Sequence, residues 1–215
     1  MELLLIRHAR PHGARAAAGE QPDPDLSPVG IAQAEALAQA LAAEPLEAIY
    51  TSTMVRARRT AVALGRLHRL TPCTDPDLVE LTLGEDRYVP LDTRGSREGT
   101  QQEFVDRFAH RSRTAEGAAT IGSFRERVEG AVDRIRRAHP GQAVAVVCHG
   151  GVINAVLTRI LGIDELMTFH PDYTSISRVL ISRTGARQVI SVNEHGHTLA
   201  LERAARVDLA EPAAT

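Results

Sequence analysis

Two histidines, each placed just after a run of apolar residues, are the side chains in this sequence best suited to chemistry. His8 follows the run 3–6 through Arg7, and His149 follows the run 143–148. An imidazole can act as a nucleophile or a base near neutral pH, because its unperturbed pKa is about 6.5. A guanidinium such as that of Arg7 pairs with phosphate oxygens through two parallel hydrogen bonds. These residue types favour the binding or transfer of a phosphoryl group.

A third polar group of residues follows the apolar run 46–50. Ser52 comes just after this run, and Arg56 falls in the first turn of a helix predicted at 54–69. Gly150 opens another predicted helix, and the first turn of a helix offers free backbone N–H groups to an anion. Each residue alone is more often structural or solvent-exposed. Because the residues at three separate strand ends all favour an anion, an anion-binding site is the stronger interpretation.

The order of apolar patterns predicts an α/β fold. Apolar residues recur at helical spacing in 28–43, 54–69, 121–138 and from 152 onward. Strands are predicted at 3–6, 46–50, 71–78, 143–148, 175–182 and 188–193. This alternation indicates a three-layer sandwich, with a mostly parallel central sheet and helices on both faces. In such sheets, ligands bind at the carboxyl ends of the strands, where the histidines and arginines lie.

The chain is predicted to form a single domain over 1–205. Its 215 residues are enough to bury a full core without disulfides or a structural metal. The stretch 84–118 is polar, irregular and rich in glycine and arginine, which predicts an insertion or lid with a helix near 101–110. Residues 206–215 are predicted to form a loose tail.

The composition argues against several classes of protein. With 25 basic and 27 acidic residues the net charge is −2, which argues against a nucleic-acid or membrane-surface protein. Every basic residue is an arginine, which excludes Schiff-base and P-loop lysine chemistry. The two cysteines are too few for a disulfide framework, and the apolar start is too short for a signal peptide or a membrane span. We therefore expect a cytoplasmic enzyme, and the arginine- and alanine-rich composition indicates a bacterial source.

Five short motifs occur in order along the chain. They are Leu5-Ile6-Arg7-His8, Leu26-Ser27-Pro28-Val29-Gly30, Ser52-Thr53-Met54-Val55-Arg56-Ala57, Leu78-Val79-Glu80 with Gly84, and Val147-Cys148-His149-Gly150-Gly151. In type and order they resemble the motifs of the histidine phosphatase superfamily, in its phosphoglycerate-mutase-like branch. With the residues that follow the last motif they extend from 5 to 153, about two thirds of the chain. The resemblance implies a phosphoglycerate mutase-like fold and a phosphatase activity.

The resemblance also implies a role for each matching residue. His8 would be the nucleophile that attacks phosphorus and becomes a phosphohistidine. Glu80 would protonate the leaving alkoxide and then activate the water that releases phosphate. Glu85 and Asp86 are nearby alternatives for this acid. The groups that would hold the phosphoryl oxygens are Arg7, Arg56, the catalytic His149 and the backbone of Gly150.

Some positions depart from the family pattern. Ala9-Arg10 stands where the family commonly has Gly followed by Glu or Gln, and 118–123 replaces a Pro-Gly-Gly-Glu-Ser stretch. Those positions help mutases bind phosphoglycerates, so the departures favour simple hydrolysis of phosphomonoesters. Arg10 would add a cation near the mouth of the site, for a carboxylate or a second phosphate, or would be an exposed rim charge.

Two other functions remain open at this point, a bisphosphoglycerate-dependent phosphoglycerate mutase and a phospho-ligand-binding domain without turnover. No cofactor is expected, and no metal, because arginines beside both histidines would repel a cation. The expected partner is a small phosphorylated metabolite or a phosphoprotein, rather than nucleic acid or a membrane. The oligomeric state is left open, with a dimer among the alternatives.

Overall fold

A computed structural model describes residues 1–17, 20–82, 87–88, 90, 106, 108–110 and 112–201. The main helices are α1 (Pro28–Ala40), α2 (Val55–His68), α3 (Ala115–Ala138) and α4 (Gly150–Leu161). The main strands are β1 (Glu2–Arg7), β3 (Leu46–Ser52), β4 (Cys73–Asp75), β6 (Ala143–Cys148), β7 (Ile176–Ile181) and β8 (Arg187–Glu194). Two short strands, β2 (Ala14–Arg15) and β5 (Arg87–Tyr88), pair with each other.

The six main strands form one sheet in the order β4-β3-β6-β1-β7-β8. Strands β4, β3, β6 and β1 are parallel, whereas β7 is antiparallel to both of its neighbours. The predicted α/β fold with a mostly parallel sheet is confirmed. Because β3, β6 and β1 are adjacent and parallel, the residues that follow them meet at one edge of the sheet.

The side chains of β1 show why its apolar run is uninterrupted. Leu3 and Leu5 pack into the core beneath α3 and α4, while Leu4 and Ile6 pack into the core beneath α1 and α2. All four are fully buried. A central parallel strand covered by helices on both faces needs apolar residues on both sides. The molecule therefore has the predicted three layers.

Helix α1 holds the loop that follows β1 in place. The Ser27 hydroxyl accepts a hydrogen bond from the Gly30 N–H at 3.1 Å and caps the helix. A Cβ on Gly30 would lie 1.9 Å from the carbonyl oxygen of Arg10. Glycine is therefore required for this close approach of the loop to the helix. The helix ends at Ala40, three residues before the predicted end.

Two predicted elements differ in extent from those observed. Helix α3 begins at Ala115 and not at 121, because the Thr114 hydroxyl accepts the Gly117 N–H at 3.0 Å and caps it. The predicted insertion 84–118 therefore loses its last four residues to this helix. The strand predicted at 71–78 is only the three residues of β4, followed by a 3₁₀ turn over Pro76–Leu78.

Several predictions fall on parts of the chain that the structure does not describe. They are the loose tail at 206–215, the alternative acids Glu85 and Asp86, and most of the helix predicted near 101–110, where the described residues 106 and 108–110 are helical. Among the helices of the described ranges, none is long and apolar enough to cross a membrane.

Candidate active site

The two predicted histidines lie side by side at the carboxyl edge of the sheet. His8 follows β1 and His149 follows β6, and the backbone N–H of His8 donates to the Cys148 carbonyl at 2.9 Å. Their ring centroids are 5.1 Å apart, with the planes tilted by 60°. Both side chains are almost completely buried. Pairing of adjacent parallel strands therefore brings together two residues that lie far apart in the sequence.

The hydrogen bonds of His8 leave one ring nitrogen able to attack phosphorus. Nδ1 lies 2.8 Å from the Ala9 carbonyl oxygen, which can only accept, so the proton is on Nδ1. Nε2 then keeps its lone pair, and Arg56 Nε donates to it at 3.3 Å. Burial lowers the pKa of His8 well below 6.5, and the charges of Arg56 and Arg7 lower it further. His8 is therefore neutral near pH 7.

Two buried guanidinium groups lie beside His8. Arg56 is 1% exposed, and its Nη1 donates to the Pro22 carbonyl and to Asp23, both at 3.3 Å. Arg7 is 9% exposed, and its Nη1 donates to the Pro171 carbonyl at 2.6 Å. The Nε of Arg7 is buried without a hydrogen-bond partner. Buried cations with donors to spare create a site for an anion.

Ser52 orients His149 towards the same site. The Ser52 hydroxyl lies 2.9 Å from His149 Nε2 and also accepts the Met54 N–H at 3.2 Å. A hydroxyl that accepts from Met54 has its proton available for Nε2, which leaves the proton of the ring on Nδ1. Nδ1 is buried without a partner, and burial, with Arg56 and His8, lowers the pKa of His149 well below 6.5. His149 is thus neutral, and its Nδ1–H is available to donate a hydrogen bond to a bound anion.

Glu80 lies against the start of α4. Its Oε2 accepts the Gly151 N–H at 3.1 Å, and its Oε1 accepts the Leu81 N–H at 2.9 Å. Burial raises the pKa of this carboxyl, despite the opposing effects of these hydrogen bonds and of Arg56 and Arg7. A carboxyl group with a raised pKa is suited to donating a proton.

The sequence reasoning missed two tyrosines that lie at this site. The Tyr173 ring centroid is 5.7 Å from that of His8, and the Tyr88 hydroxyl is 3.4 Å from the Tyr173 hydroxyl. Tyr173 comes from the loop before β7, and Tyr88 from β5 within the predicted insertion. No spacing in the sequence relates either residue to the histidines, so only the folded chain could reveal them.

The predicted roles of Arg10 and Gly150 remain predictions. Arg10 is half-buried, and its backbone carbonyl accepts two hydrogen bonds from Ser27, at the start of α1. Gly150 is the first residue of α4, directly after His149. Its backbone N–H therefore belongs to the helix N-terminus that faces the strand ends.

The structure combines a mostly parallel α/β sheet with an electropositive site of two neutral histidines, two buried arginines and a carboxyl group. Such a set of groups is typical of an enzyme that transfers phosphoryl groups. Within the described ranges, no three or more His, Cys, Asp and Glu side chains are grouped so that they could hold a metal ion.

Residues 3–195 match the family model of the histidine phosphatase superfamily, branch 1. The chain belongs to this superfamily, as its motifs predicted, and is a phosphatase enzyme. It is 29% identical over 190 residues to phosphoserine phosphatase 1 of Hydrogenobacter thermophilus, covering 82% of this chain and 85% of that protein. It is 30% identical over 167 residues to the metal-independent phosphoserine phosphatase of Arabidopsis thaliana, covering 74% of this chain and 68% of that protein.

The fold is also found in solved structures. One is a mutant phosphoserine phosphatase from Entamoeba histolytica in complex with phosphoserine, which superposes with a TM-score of 0.70 and 20% identity. The superposition covers 92% of this chain and 99% of that one. At this level of identity the likeness establishes the fold alone. The phosphoglycerate mutase-like architecture predicted from the sequence is confirmed.

Proposed function

We propose that this protein hydrolyses small phosphomonoesters through a phosphohistidine formed on His8. The observation that carries the proposal is the state of the His8 ring. Its Nδ1 is held by the Ala9 carbonyl, and its unprotonated Nε2 accepts a hydrogen bond from Arg56, in a site with two buried guanidinium groups. A neutral imidazole in that position can attack phosphorus, whereas a binding site alone would not need one.

In the first step the phosphoryl oxygens lie against the two guanidinium groups and the Nδ1–H of His149. The Arg56 Nε turns from His8 to a phosphoryl oxygen, which frees the lone pair of Nε2. As the N–P bond forms, the P–O bond to the alcohol breaks, and Glu80 transfers its proton to the leaving oxygen. The alcohol departs and the phosphoryl group remains on His8.

In the second step the Glu80 carboxylate takes a proton from water. The water oxygen attacks phosphorus, the N–P bond breaks, and inorganic phosphate leaves. His8 regains its lone pair and Glu80 its proton, so both groups are ready for the next turnover. The same carboxyl serves as acid and then as base, which a raised pKa makes feasible near neutral pH.

Most of the stabilisation of the transition state would come from the two arginines. In a loose transition state the charge is spread over the three equatorial phosphoryl oxygens, and fixed donors stabilise it without reorganisation. A unit charge pair at about 4 Å is worth roughly 4 kcal/mol at an effective dielectric of about 20, before desolvation is subtracted. Two buried guanidinium groups can therefore supply a large part of the rate acceleration.

A small phosphorylated hydroxy acid or amino acid, such as phosphoserine, is the proposed substrate class. The two relatives described above are named phosphoserine phosphatases and align with most of this chain. The departures at Ala9-Arg10 and at 118–123 favour hydrolysis over mutase activity. We also propose a cytoplasmic location, which agrees with the two free cysteines, Cys73 and Cys148.

The test is phosphate release from p-nitrophenyl phosphate in EDTA, measured for the wild type, His8→Ala and the control His139→Ala. His139 contacts Tyr50 and Gln142, in another part of the structure. We expect turnover in the wild type and the control, and none in His8→Ala. Turnover in His8→Ala at the wild-type rate would refute the mechanism.

Phosphoserine and 3-phosphoglycerate are then compared as substrates. Phosphate release from phosphoserine would support the proposed substrate class. Phosphoryl transfer to 3-phosphoglycerate, dependent on a bisphosphoglycerate primer, would instead identify a mutase. Binding of orthophosphate with no turnover of any of these esters would identify a binding domain.

A further inference from the structure

Two tyrosine rings cover the faces of the two buried guanidinium groups. The guanidinium carbon of Arg7 lies 4.0 Å from the centroid of the Tyr173 ring, and that of Arg56 lies 5.0 Å from the centroid of the Tyr88 ring. The two tyrosine hydroxyl oxygens are 3.4 Å apart. We refer to Tyr88 and Tyr173 as the tyrosine pair.

A ring face has a specific advantage over a carboxylate as the partner of an arginine at a phosphate site. Desolvation of a guanidinium is unfavourable, so a buried one needs a compensating contact. A carboxylate would supply it, but would also neutralise the charge and occupy the N–H groups that phosphate oxygens need. The face of an aromatic ring attracts the cation and leaves the N–H groups at the edge of the guanidinium free to bind phosphate oxygens.

Arg7 fits this description closely. Its Nη1 donates to the Pro171 carbonyl, its Nε is buried without a partner, and the face of its guanidinium lies on the Tyr173 ring. Neither of these contacts is with a carboxylate. The nearby Glu80 favours the charged form of Arg7, and the Tyr88 side chain also hydrogen-bonds to it. Arg56 differs, because Asp23 accepts from its Nη1, yet its guanidinium also lies near a ring.

The backbone around Tyr173 fixes the position of its ring. The Thr174 N–H donates to the Arg7 carbonyl at 3.1 Å, and Thr174 has a φ of 59°, a left-handed conformation that a β-branched residue rarely adopts. On the other side, the Asp172 N–H donates to Asn193 Oδ1 at 2.7 Å, and Asn193 Nδ2 donates back to Asp172 Oδ2 at 2.9 Å. A strained residue retained beside the site is consistent with a role for the ring it positions.

Tyr88 reaches the site by a different route. It lies on β5, which pairs with β2 in the loop after β1, with Tyr88 opposite Ala14. The two short strands therefore bring residues from the loop after β1 and from the polar stretch together above the strand ends. Tyr88 is half-buried, so its ring is more tolerant of substitution than the buried ring of Tyr173.

We propose that the tyrosine pair positions the two arginines for phosphate through its ring faces, and that its hydroxyl groups are secondary to this role. The inference rests on the proposed function only in taking a phosphoryl group as the ligand. The tyrosines are positioning residues, since they act on phosphate through the arginines.

The test is the affinity for inorganic orthophosphate, measured by calorimetry on the full chain. Tyr88→Phe and Tyr173→Phe keep the ring and remove the hydroxyl, whereas Tyr88→Leu and Tyr173→Leu remove the ring. We expect the Leu variants to bind phosphate about tenfold more weakly, and the Phe variants to lie within about threefold of the wild type. Tyr50→Leu is the control, because Tyr50 contacts His139 and not an arginine of the site.

A second readout separates positioning from a general structural effect. With p-nitrophenyl phosphate, the Leu variants should raise KM, and the Phe variants should restore it towards the wild-type value. Thermal unfolding identifies a variant that does not fold. If Tyr173→Leu is such a variant, Tyr88→Leu decides the question on its own.

Equal phosphate affinity in Tyr88→Leu and the wild type would overturn the proposal for Tyr88. Equal losses in the Phe and Leu variants would overturn it for the pair, by making the hydroxyl groups the important contact. Orthophosphate binding needs no turnover. A protein that binds phosphate with the expected dependence on the rings, yet hydrolyses no ester, would refute the proposed hydrolase while supporting the tyrosine pair.

Discussion

Replacing Gly151 with alanine would disturb the proposed proton donor without removing any group from the phosphate site. A Cβ at this position would lie 2.3 Å from Oε1 of Glu80 and 3.3 Å from its carboxyl carbon. The Phe124 ring, at 3.5 Å, limits movement on another side. The carboxyl oxygen must therefore shift by about 1 Å to reach ordinary contact distance. That shift would distort or break the 3.1 Å hydrogen bond from the Gly151 N–H.

The size of the effect follows from that displacement. Misplacing a reacting group by about 1 Å reduces the rate by about 10²-fold, and losing a general acid altogether reduces it by about 10²- to 10⁴-fold. We therefore expect Gly151→Ala to lower kcat for phosphoserine by about 10²-fold. KM should change little, because the groups proposed to bind the phosphoryl oxygens are not displaced.

The matched control is Gly130→Ala, a glycine-to-alanine change within α3 and outside the candidate site. A Cβ on Gly130 would have only the end of the Arg134 side chain within 4 Å, at an ordinary contact distance of 3.6 Å. Phosphate release at saturating phosphoserine is measured for both variants, with thermal unfolding to verify that each is folded. The reasoning is refuted if Gly151→Ala keeps near wild-type kcat, or if both variants lose activity to the same extent.

Three further predictions concern the proton donor, the pH profile and Ser52. Glu80→Gln should lower kcat for phosphoserine by about 10²- to 10⁴-fold. With p-nitrophenyl phosphate, whose leaving group needs less protonation, the same variant should accumulate phosphohistidine. Rapid-quench measurements that found no phosphoenzyme would contradict this. Because burial and arginines lower the pKa of His8, whereas burial raises that of Glu80, kcat/KM should persist at mildly acidic pH and fall as Glu80 loses its proton. This fall towards higher pH should be absent in Glu80→Gln, and a fall of the same shape in that variant would exclude Glu80 as its source. Ser52→Ala removes the hydrogen-bond partner of His149 Nε2. It should lower kcat/KM by about tenfold, which is the effect of one buried hydrogen bond. A kcat/KM equal to that of the wild type would show that Ser52 does not orient the ring.

Local sequence determined the elements and most of the groups of the candidate site. The uninterrupted apolar runs at 3–6 and 143–148 required strands buried on both faces. His149 directly follows the second run, and His8 follows the first after Arg7. Ser27-Pro28 carries the cap and the first proline of α1, so the start of that helix could be predicted to the residue. Parallel strands with helices between them then placed both histidines at one edge.

Longer-range packing decided what the sequence could not. Burial raises the pKa of Glu80, and glycine is needed at 151 because the first turn of α4 packs closely against the Glu80 carboxyl group. No local pattern encodes that distance. The start of α3 at Ala115 was missed for a related reason, since the helix continues into a polar stretch whose residues carry no apolar periodicity.

The tyrosine pair shows most plainly what the sequence determines and what only the tertiary structure decides. Tyr88 and Tyr173 lie 85 positions apart, in segments with no shared motif, and each contacts an arginine from yet another segment. Residue type and spacing determine strands, helices and caps because these depend on neighbours along the chain. Which ring covers which guanidinium depends on how distant segments pack, and only the tertiary structure decides that.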